Sequence, residues 1–260
     1  VVAKTGEGTV FGTGTTIGDT NTDGDTDYRV ATNWAGYQVL QDNFPEFVSV
    51  IEGSTGEELA RDAFIPRGPA ATWTDYWGDN YGHRMNFIMA ITASFDGDLP
   101  SIFFSRGPGD VMDMAAWDFR GGQLTQRFTW TSRGKSFPNN GRWIDFHAVR
   151  ALDLDGDGLD EVSWGLNALD DDGTPLYAAE TDVGHGDRFQ IGDFDPTRPG
   201  LEGFAIQQDN ANYLGAVIFD ATTGQVLHRQ YLSAIGDVGR GDANDIDHNS
   251  LGVELYSSTN

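Results

Sequence analysis

The chain has 260 residues, no cysteine, and 40 acidic against 16 basic side chains, for a net charge of −24. That field repels nucleic acid and anionic membrane surfaces, and the missing thiols exclude disulfides and thiolate metal centres. The longest evident apolar run, Phe87 to Ile91, is far too short to cross a bilayer, and Val1-Val2-Ala3-Lys4 carries no signal-peptide pattern. An acid-rich chain of this kind suits the holding of divalent cations, and four calcium ions would offset about a third of the charge. With 34 glycines among many short apolar runs, the composition predicts a turn-dense all-β protein.

In chain order, two patterns alternate. The first is an acidic loop that feeds a strand. It appears as Asp19-Thr20-Asn21-Thr22-Asp23-Gly24-Asp25, Asp153-Leu154-Asp155-Gly156-Asp157, Asp193-Phe194-Asp195 and Asp245-Ile246-Asp247. Glu161, Glu202 and Glu254 follow the last three, and Phe95-Asp96-Gly97-Asp98 is a degenerate copy ahead of a strand from Ser101 to Ser105. The second pattern is a hairpin turn with glycine three residues before leucine: Gly56/Leu59, Gly121/Leu124, Gly173/Leu176 and Gly224/Leu227. Glycine supplies the positive φ that a tight turn needs. These glycines lie 65, 52 and 51 residues apart, the length of a four-stranded blade with long loops.

The expected fold is therefore an all-β, calcium-stapled β-propeller, a single domain over 1–260 with four blades and a fifth begun. Four to five blades do not readily close a ring, so an incomplete ring is expected. A β-sandwich with chance Asp-Gly turns is the alternative, and the strict alternation argues against it.

Calcium takes six to eight oxygen ligands. In the central loop, Asp153, Asp155 and Asp157 are the expected side-chain ligands, with the Leu159 carbonyl and a closing Glu161. Carboxylates packed this closely repel unless a cation joins them. The same reading assigns Asp193, Asp195 and Glu202 to a second site and Asp245, Asp247 and Glu254 to a third. Asp19, Asn21, Asp23 and Asp25 form a fourth site that lacks a closing glutamate.

Several segments resemble the rhamnogalacturonan lyases of polysaccharide lyase family eleven. They are Trp77-Gly78-Asp79-Asn80-Tyr81-Gly82-His83-Arg84, Gly184-His185-Gly186-Asp187, Asp193 through Glu202, Asp237-Val238-Gly239-Arg240-Gly241, and the opening from Lys4 to Asp19. The resemblance runs from about residue 4 to 256 and implies an eight-bladed, calcium-rich propeller that cleaves rhamnogalacturonan by β-elimination, of which this chain would cover the first half to two-thirds. The chain departs from the family pattern at Arg106–Asp110, Arg142–His147 and Phe204–Asn210. An ulvan-lyase-like activity, and a non-catalytic calcium propeller that binds carbohydrate or protein, are the alternatives.

β-Elimination must neutralise a uronate carboxylate and place a base near C5. His147, His185 and Arg240 each lie in the stretch leading into an acidic loop, so propeller symmetry would bring them to one face. Arg240 is expected to bind the carboxylate, and His147 and His185 to supply the base and sugar-orienting contacts. An acidic polysaccharide is the expected partner of a secreted or cell-surface, monomeric protein, with no nucleic acid and no membrane.

Overall fold

The computed structural model describes residues 1–27, 29–32, 38–40, 44–69, 72–79, 82–107, 111–135, 144–180 and 182–258. Asn80-Tyr81, Pro108–Asp110 and Arg142-Trp143 of the segments above lie outside the described residues. The chain divides into two compact units, Val1–Ala90 with Ser101–Thr131 and Ile91–Pro100 with Ser132–Asn260.

The fold is all-β, as the composition requires. In chain order the elements are β1 (Val2–Gly6), β2 (Arg29–Thr32), β3 (Gln38–Leu40), β4 (Glu46–Ile51), β5 (Glu58–Ala63), and two short helices, α1 (Trp73–Trp77) and α2 (His83–Asn86). Next come β6 (Ile88–Ala93), β7 (Ser101–Arg106), β8 (Asp113–Arg120), β9 (Gln123–Thr131), β10 (Arg150–Leu152), β11 (Glu161–Ser163), β12 (Ala168–Leu169) and β13 (Pro175–Tyr177). The last six are β14 (Phe189–Gly192), β15 (Glu202–Ile206), β16 (Leu214–Asp220), β17 (Val226–Tyr231), β18 (Arg240–Asn244) and β19 (Glu254–Ser258).

They assemble as sheets β1-β4-β5, β2-β3, β6-β7-β8-β9, β10-β11-β12-β13, β14-β15-β16-β17 and β18-β19. Three successive sheets are thus four-stranded with neighbours in sequence order. The Asp96, Asp153, Asp193 and Asp245 loops join the first strand of a sheet to the second, the Asp19 loop lies between β1 and β2, and the glycine hairpins join the last two strands. Each predicted hairpin glycine has positive φ: Gly56 72°, Gly121 58°, Gly173 84° and Gly224 71°. At Gly224 the need is twofold, because an added Cβ would stand 2.4 Å from the Tyr177 ring.

Burial follows the strands. In the first unit Val48, Val50, Phe64, Phe104 and Trp117 form one buried cluster, with the Phe64 and Trp117 rings stacked 6.1 Å apart. In the second unit Phe204, Ile206, Ala216 and Val238 form another. Each large apolar side chain so buried contributes about 1.5–3 kcal/mol. The segment Trp77–Arg84 has a structural task within the first unit. Asp79 accepts from the Gly82 and Arg84 amides at 2.9 and 2.8 Å, which fixes the start of α2, while Trp77 donates to the Arg67 carbonyl at 2.8 Å.

Glu46, at the head of β4, is almost fully buried among cations of the first unit. It pairs with Arg106 at 2.6 Å and Arg67 at 3.2 Å, and also with Lys4. Burial alone would raise its pKa, but the charges of Arg106, Lys4 and Arg67 together hold it below the ordinary glutamate range.

Candidate active site

Two three-residue segments of the second unit lie side by side. Phe146 and Gly186 form a parallel bridge. In parallel pairing the residues flanking each bridge partner fall beside one another, so Asp145 meets His185 and His147 meets Asp187. The two sequences, Asp145-Phe146-His147 and His185-Gly186-Asp187, carry acid and imidazole in opposite order. Each histidine therefore faces a carboxylate. His147 Nδ1 lies 3.0 Å from Asp187 Oδ1, and His185 Nδ1 lies 3.1 Å from Asp145 Oδ2.

The close approach depends on glycine at 186. A Cβ there would stand 2.0 Å from the Ile206 carbonyl oxygen and 2.7 Å from the Phe146 ring. Phe146 is fully buried and packs edge-on against Phe189 at 5.8 Å, which anchors the first segment. On its other side the His185 segment is held by the chain after β15. The Gln208 amide donates to the His185 carbonyl at 2.8 Å, and Gly184 N–H donates to the buried Gln207 Oε1 at 2.5 Å. The two imidazoles end 4.8 Å apart between ring centroids.

Asp187 is the hub of the group. Its Oδ1 serves His147 and also lies 3.6 Å from His185 Nε2, while its Oδ2 lies 3.7 Å from Arg240 Nη1. Arg240 opens β18 and its side chain is 70% exposed, so the guanidinium reaches solvent. The three residues selected from sequence do come together, and they do so around a fourth that the sequence reading passed over. Asp145 and Asp187 were both missed. The signal available was the mirrored spacing, acid two before one histidine and two after the other.

The environments push the two imidazoles apart. Burial, joined by the charge of His185, lowers the His147 pKa below its ordinary value against the pull of Asp187 and Asp145. Burial acts the same way on His185, but its hydrogen bonds and charge pairing with Asp145, aided by Asp187, outweigh it and raise that pKa. Of the two imidazoles, His147 is therefore the harder to protonate and His185 the more readily charged.

The acidic loops share one device. Glu161 Oε2 accepts from Leu154 N–H at 2.5 Å. Glu202 Oε2 accepts from Phe194 and Asp195, both at 3.0 Å. Glu254 Oε2 accepts from Ile246 and Asp247 at 2.9 and 3.0 Å. In each case the glutamate at the start of the second strand clasps the loop by its backbone. The expectation that the Asp19 loop lacks a closing glutamate is corrected: Glu7, just after β1, accepts from the Thr20 and Asn21 amides at 2.5 and 3.2 Å. It comes from upstream, and a search confined to downstream glutamates passes it by.

The residues of the central loop fit a divalent cation. Asp153, Asp155 and Glu161 present ligand atoms within 4.8 Å of one another. Glu161 is fully buried, its Oε1 has no hydrogen-bond partner, and burial raises its pKa to about 7. A buried carboxylate oxygen in that state wants a positive charge. Glu7 Oε2 and Glu202 Oε1 are buried and without a hydrogen bond in the same way, though Arg198 lies 3.5 Å from Glu202. Asp157 stands apart from the central trio and accepts from Leu159 N–H at 2.8 Å. Asp145, His147 and His185 also bring three ligand atoms within 4.8 Å. The Asp19, Asp193 and Asp245 loops bring no such trio together among the described residues.

The site is thus a paired histidine–carboxylate group with an exposed arginine, in an all-β protein with acidic loops. The family profile described as "Rhamnogalacturonan lyase family 11, C-terminal domain" matches residues 1–260, and the chain belongs to that family. It is 40% identical over 263 residues to the rhamnogalacturonan endolyase YesW of Bacillus subtilis, covering 99% of this chain and 39% of that protein. To the rhamnogalacturonan exolyase YesX of the same organism it is 38% identical over 215 residues, covering 82% and 33%. The crystal structure of YesW superposes with a TM-score of 0.83 over 99% of this chain and 41% of that one, at 38% identity. A rhamnogalacturonan lyase structure from Bacillus licheniformis gives 0.82 at 37% identity, covering 99% and 41%. The chain thus spans 33–39% of the length of these curated relatives.

Proposed function

We propose that this chain supplies the proton-transfer site of a polysaccharide lyase that cleaves rhamnogalacturonan by β-elimination. The observation that carries the reading is the crosswise pairing of Asp145-x-His147 with His185-x-Asp187 beside Arg240, in a chain of this family. Arg240, on the exposed side of Asp187, binds the galacturonate carboxylate and reduces its charge, which makes the C5 proton removable. With Nδ1–H directed to Asp187, His147 carries its lone pair on Nε2 and takes the C5 proton. The C5–H electrons form the C4=C5 double bond, the C4–O bond breaks, and the departing sugar oxygen takes a proton from water. His185, held by Asp145, orients the sugar through its imidazole.

The reading includes a calcium-stapled β-propeller, with this chain as a single domain within an incomplete ring. The succession of four-stranded sheets and the repeated glutamate clasp support it. Asp153, Asp155, Asp157, Leu159 and Glu161 would hold one ion, and the Asp193/Asp195/Glu202, Asp245/Asp247/Glu254 and Asp19/Asn21/Asp23/Asp25 loops the others, the last closed by Glu7. When bound, calcium supplies the positive charge that these carboxylates need in order to stay ionised when buried. The reading extends to an exported, monomeric protein. Among the described residues no helix is long and apolar enough to cross a membrane.

Incubation with rhamnogalacturonan and, separately, with ulvan tests the proposal through the ultraviolet absorbance of the unsaturated uronyl product. Product from rhamnogalacturonan is expected, and its loss on chelation would show that the cations are needed. No product from either polymer sinks the lyase reading. Product from ulvan alone reassigns the substrate.

A further inference from the structure

The chain that seats the His185 segment continues into a turn with an unusual residue. Gln207 is fully buried, and beyond its contact with Gly184 the loop is tied again by Asn210, whose Nδ2 donates to the Asp182 carbonyl at 2.9 Å. Tyr213 N–H then closes the turn on the Asn210 carbonyl at 2.9 Å, and the Tyr213 carbonyl accepts from Leu232 N–H at 2.8 Å. The loop is thus fixed at both ends, to the candidate site and to the end of β17.

At the close of this turn Tyr213 has φ 62°. The position is the left-handed one that follows a turn and opens a bulge, and indeed the β16–β17 register shifts just after it, between Leu214 and Ala216. Glycine fills such positions without strain, whereas for a bulky side chain the conformation is an outlier. Among the described residues only Thr22, Asp209 and Tyr213 are non-glycine with positive φ, so two of the three sit in this loop. The fold gains little from the tyrosine. The residue is 48% exposed, and neither ring nor hydroxyl makes a hydrogen bond or ring contact among the described residues. Exposed Ile235 lies one residue before Gly236, whose carbonyl accepts from Asp209 N–H at 3.1 Å. Backbone strain retained for an exposed, unpartnered aromatic, on a loop bonded to the site, points to a ligand.

We propose that Tyr213 is a sugar-stacking subsite, its ring receiving the apolar C–H face of a pyranose in the polymer chain next to the residue being cleaved. The proposal rests on the polysaccharide reading above. An aromatic ring offers a large, rigid apolar face with a polar tip, which suits a sugar that is apolar on its ring face and hydroxylated at its edge. Glycine in its place would relax the loop and lose the subsite, so stability and binding would move in opposite directions.

Tyr213→Gly, Tyr213→Ala and Tyr213→Phe are compared by thermal melting, by gel retardation in rhamnogalacturonan and by lyase kinetics. Tyr213→Gly is expected to raise Tm by roughly 2–4 °C while weakening retardation and raising KM roughly three- to tenfold, with kcat little changed. Tyr213→Phe is expected to match the wild type in all three measurements, and Tyr213→Ala to lose the binding without the gain in Tm. Unchanged retardation and KM in Tyr213→Gly would overturn the subsite, as would a wild type that the polymer does not retard. A wild type that is retarded but forms no unsaturated product, with Tyr213→Gly released, would remove the lyase reading and leave the subsite standing.

Discussion

His147 Nδ1 and Asp187 Oδ1 lie 3.0 Å apart although the residues are 40 positions distant in sequence. On the proposed reading this contact holds the imidazole proton on Nδ1 and leaves Nε2 as the basic nitrogen. His147→Ala should lower kcat on the order of 10²- to 10⁴-fold, the usual contribution of a general base, with Tm nearly unchanged because the side chain is about one-third exposed. Asp187→Asn should also depress kcat, since it disturbs both histidines and Arg240 together. Steady-state kinetics beside thermal melts check both, and full activity in His147→Ala would refute the base assignment.

Arg240 is mostly exposed and lies 3.7 Å from Asp187, which is itself partly exposed, so removing it leaves no fully buried charge behind. Arg240→Ala should reduce kcat/KM by about 10²-fold through lost stabilisation of the charge developing on the uronate. Arg240→Lys should recover only part of this, because a point charge does not reproduce a bidentate fork. Kinetics on the polymer, with melts showing equal stability, separate this from a folding defect.

Calcium should raise Tm and chelator should lower it. Saturation at 100 times Kd stabilises by about 2.7 kcal/mol per site, which for a domain of this size is a shift of several degrees. Glu161→Gln should remove part of the calcium-dependent shift, since it withdraws the buried carboxylate whose Oε1 has no hydrogen bond. Glu7→Gln should do the same for the Asp19 loop. Melting curves and isothermal titration with calcium test this, and a Tm indifferent to calcium in the wild type would dismiss the staples.

Glu46 makes stability depend on acid. Its folded pKa is depressed by Arg106, Lys4 and Arg67 acting against its burial. A depressed carboxylate contributes stability that is complete above the unfolded value and lost as pH falls through the folded value. The wild type should therefore weaken progressively below about pH 4.5, and Glu46→Gln should show a shallower acid limb. At neutral pH the same change should cost about 3–5 kcal/mol, because it leaves buried cations uncompensated. Denaturant melts across pH measure both effects.

Gly186→Ala should damage activity more than stability. The new methyl must displace both the Ile206 carbonyl and the Phe146 ring, or itself be pushed off them, and such a shift moves His185 and Asp187 away from their partners. Misplacement by about 1 Å can cost on the order of 10²-fold in rate. Kinetics and NMR titration of the two histidines would show the change, and ordinary activity in Gly186→Ala would mean that the bridge tolerates movement.

Much of the fold was legible because successive antiparallel sheets repeat local chemistry. The hairpin glycines announce themselves, since only glycine takes their positive φ without strain, and all four sit at the turns expected of them. The strand after the degenerate loop begins at Ser101 as read. The glutamates that follow three of the acidic loops were also legible, because loop and strand are adjacent in the chain. Glu7 was not, since it reaches its loop from the end of a preceding strand and no local pattern ties it there. The segment Trp77–Arg84 showed the opposite limit: a motif conspicuous in sequence that Asp79 and Trp77 employ to build a helical turn.

The mirrored acidic and histidine triplets were present in the sequence and meant nothing on their own. Sequence alone determined the inventory: an all-β chain, its acidic loops and glycine turns, and the two histidines and one arginine placed ahead of successive acidic loops. These follow from spacing and φ preference, which are properties of neighbouring residues. Only the tertiary structure decided that Phe146 would lie against Gly186, that Asp187 would hold both histidines and Arg240, and that the two imidazoles would differ in basicity. Those depend on backbone pairing across 40 residues and on burial, and neither is encoded at any single position.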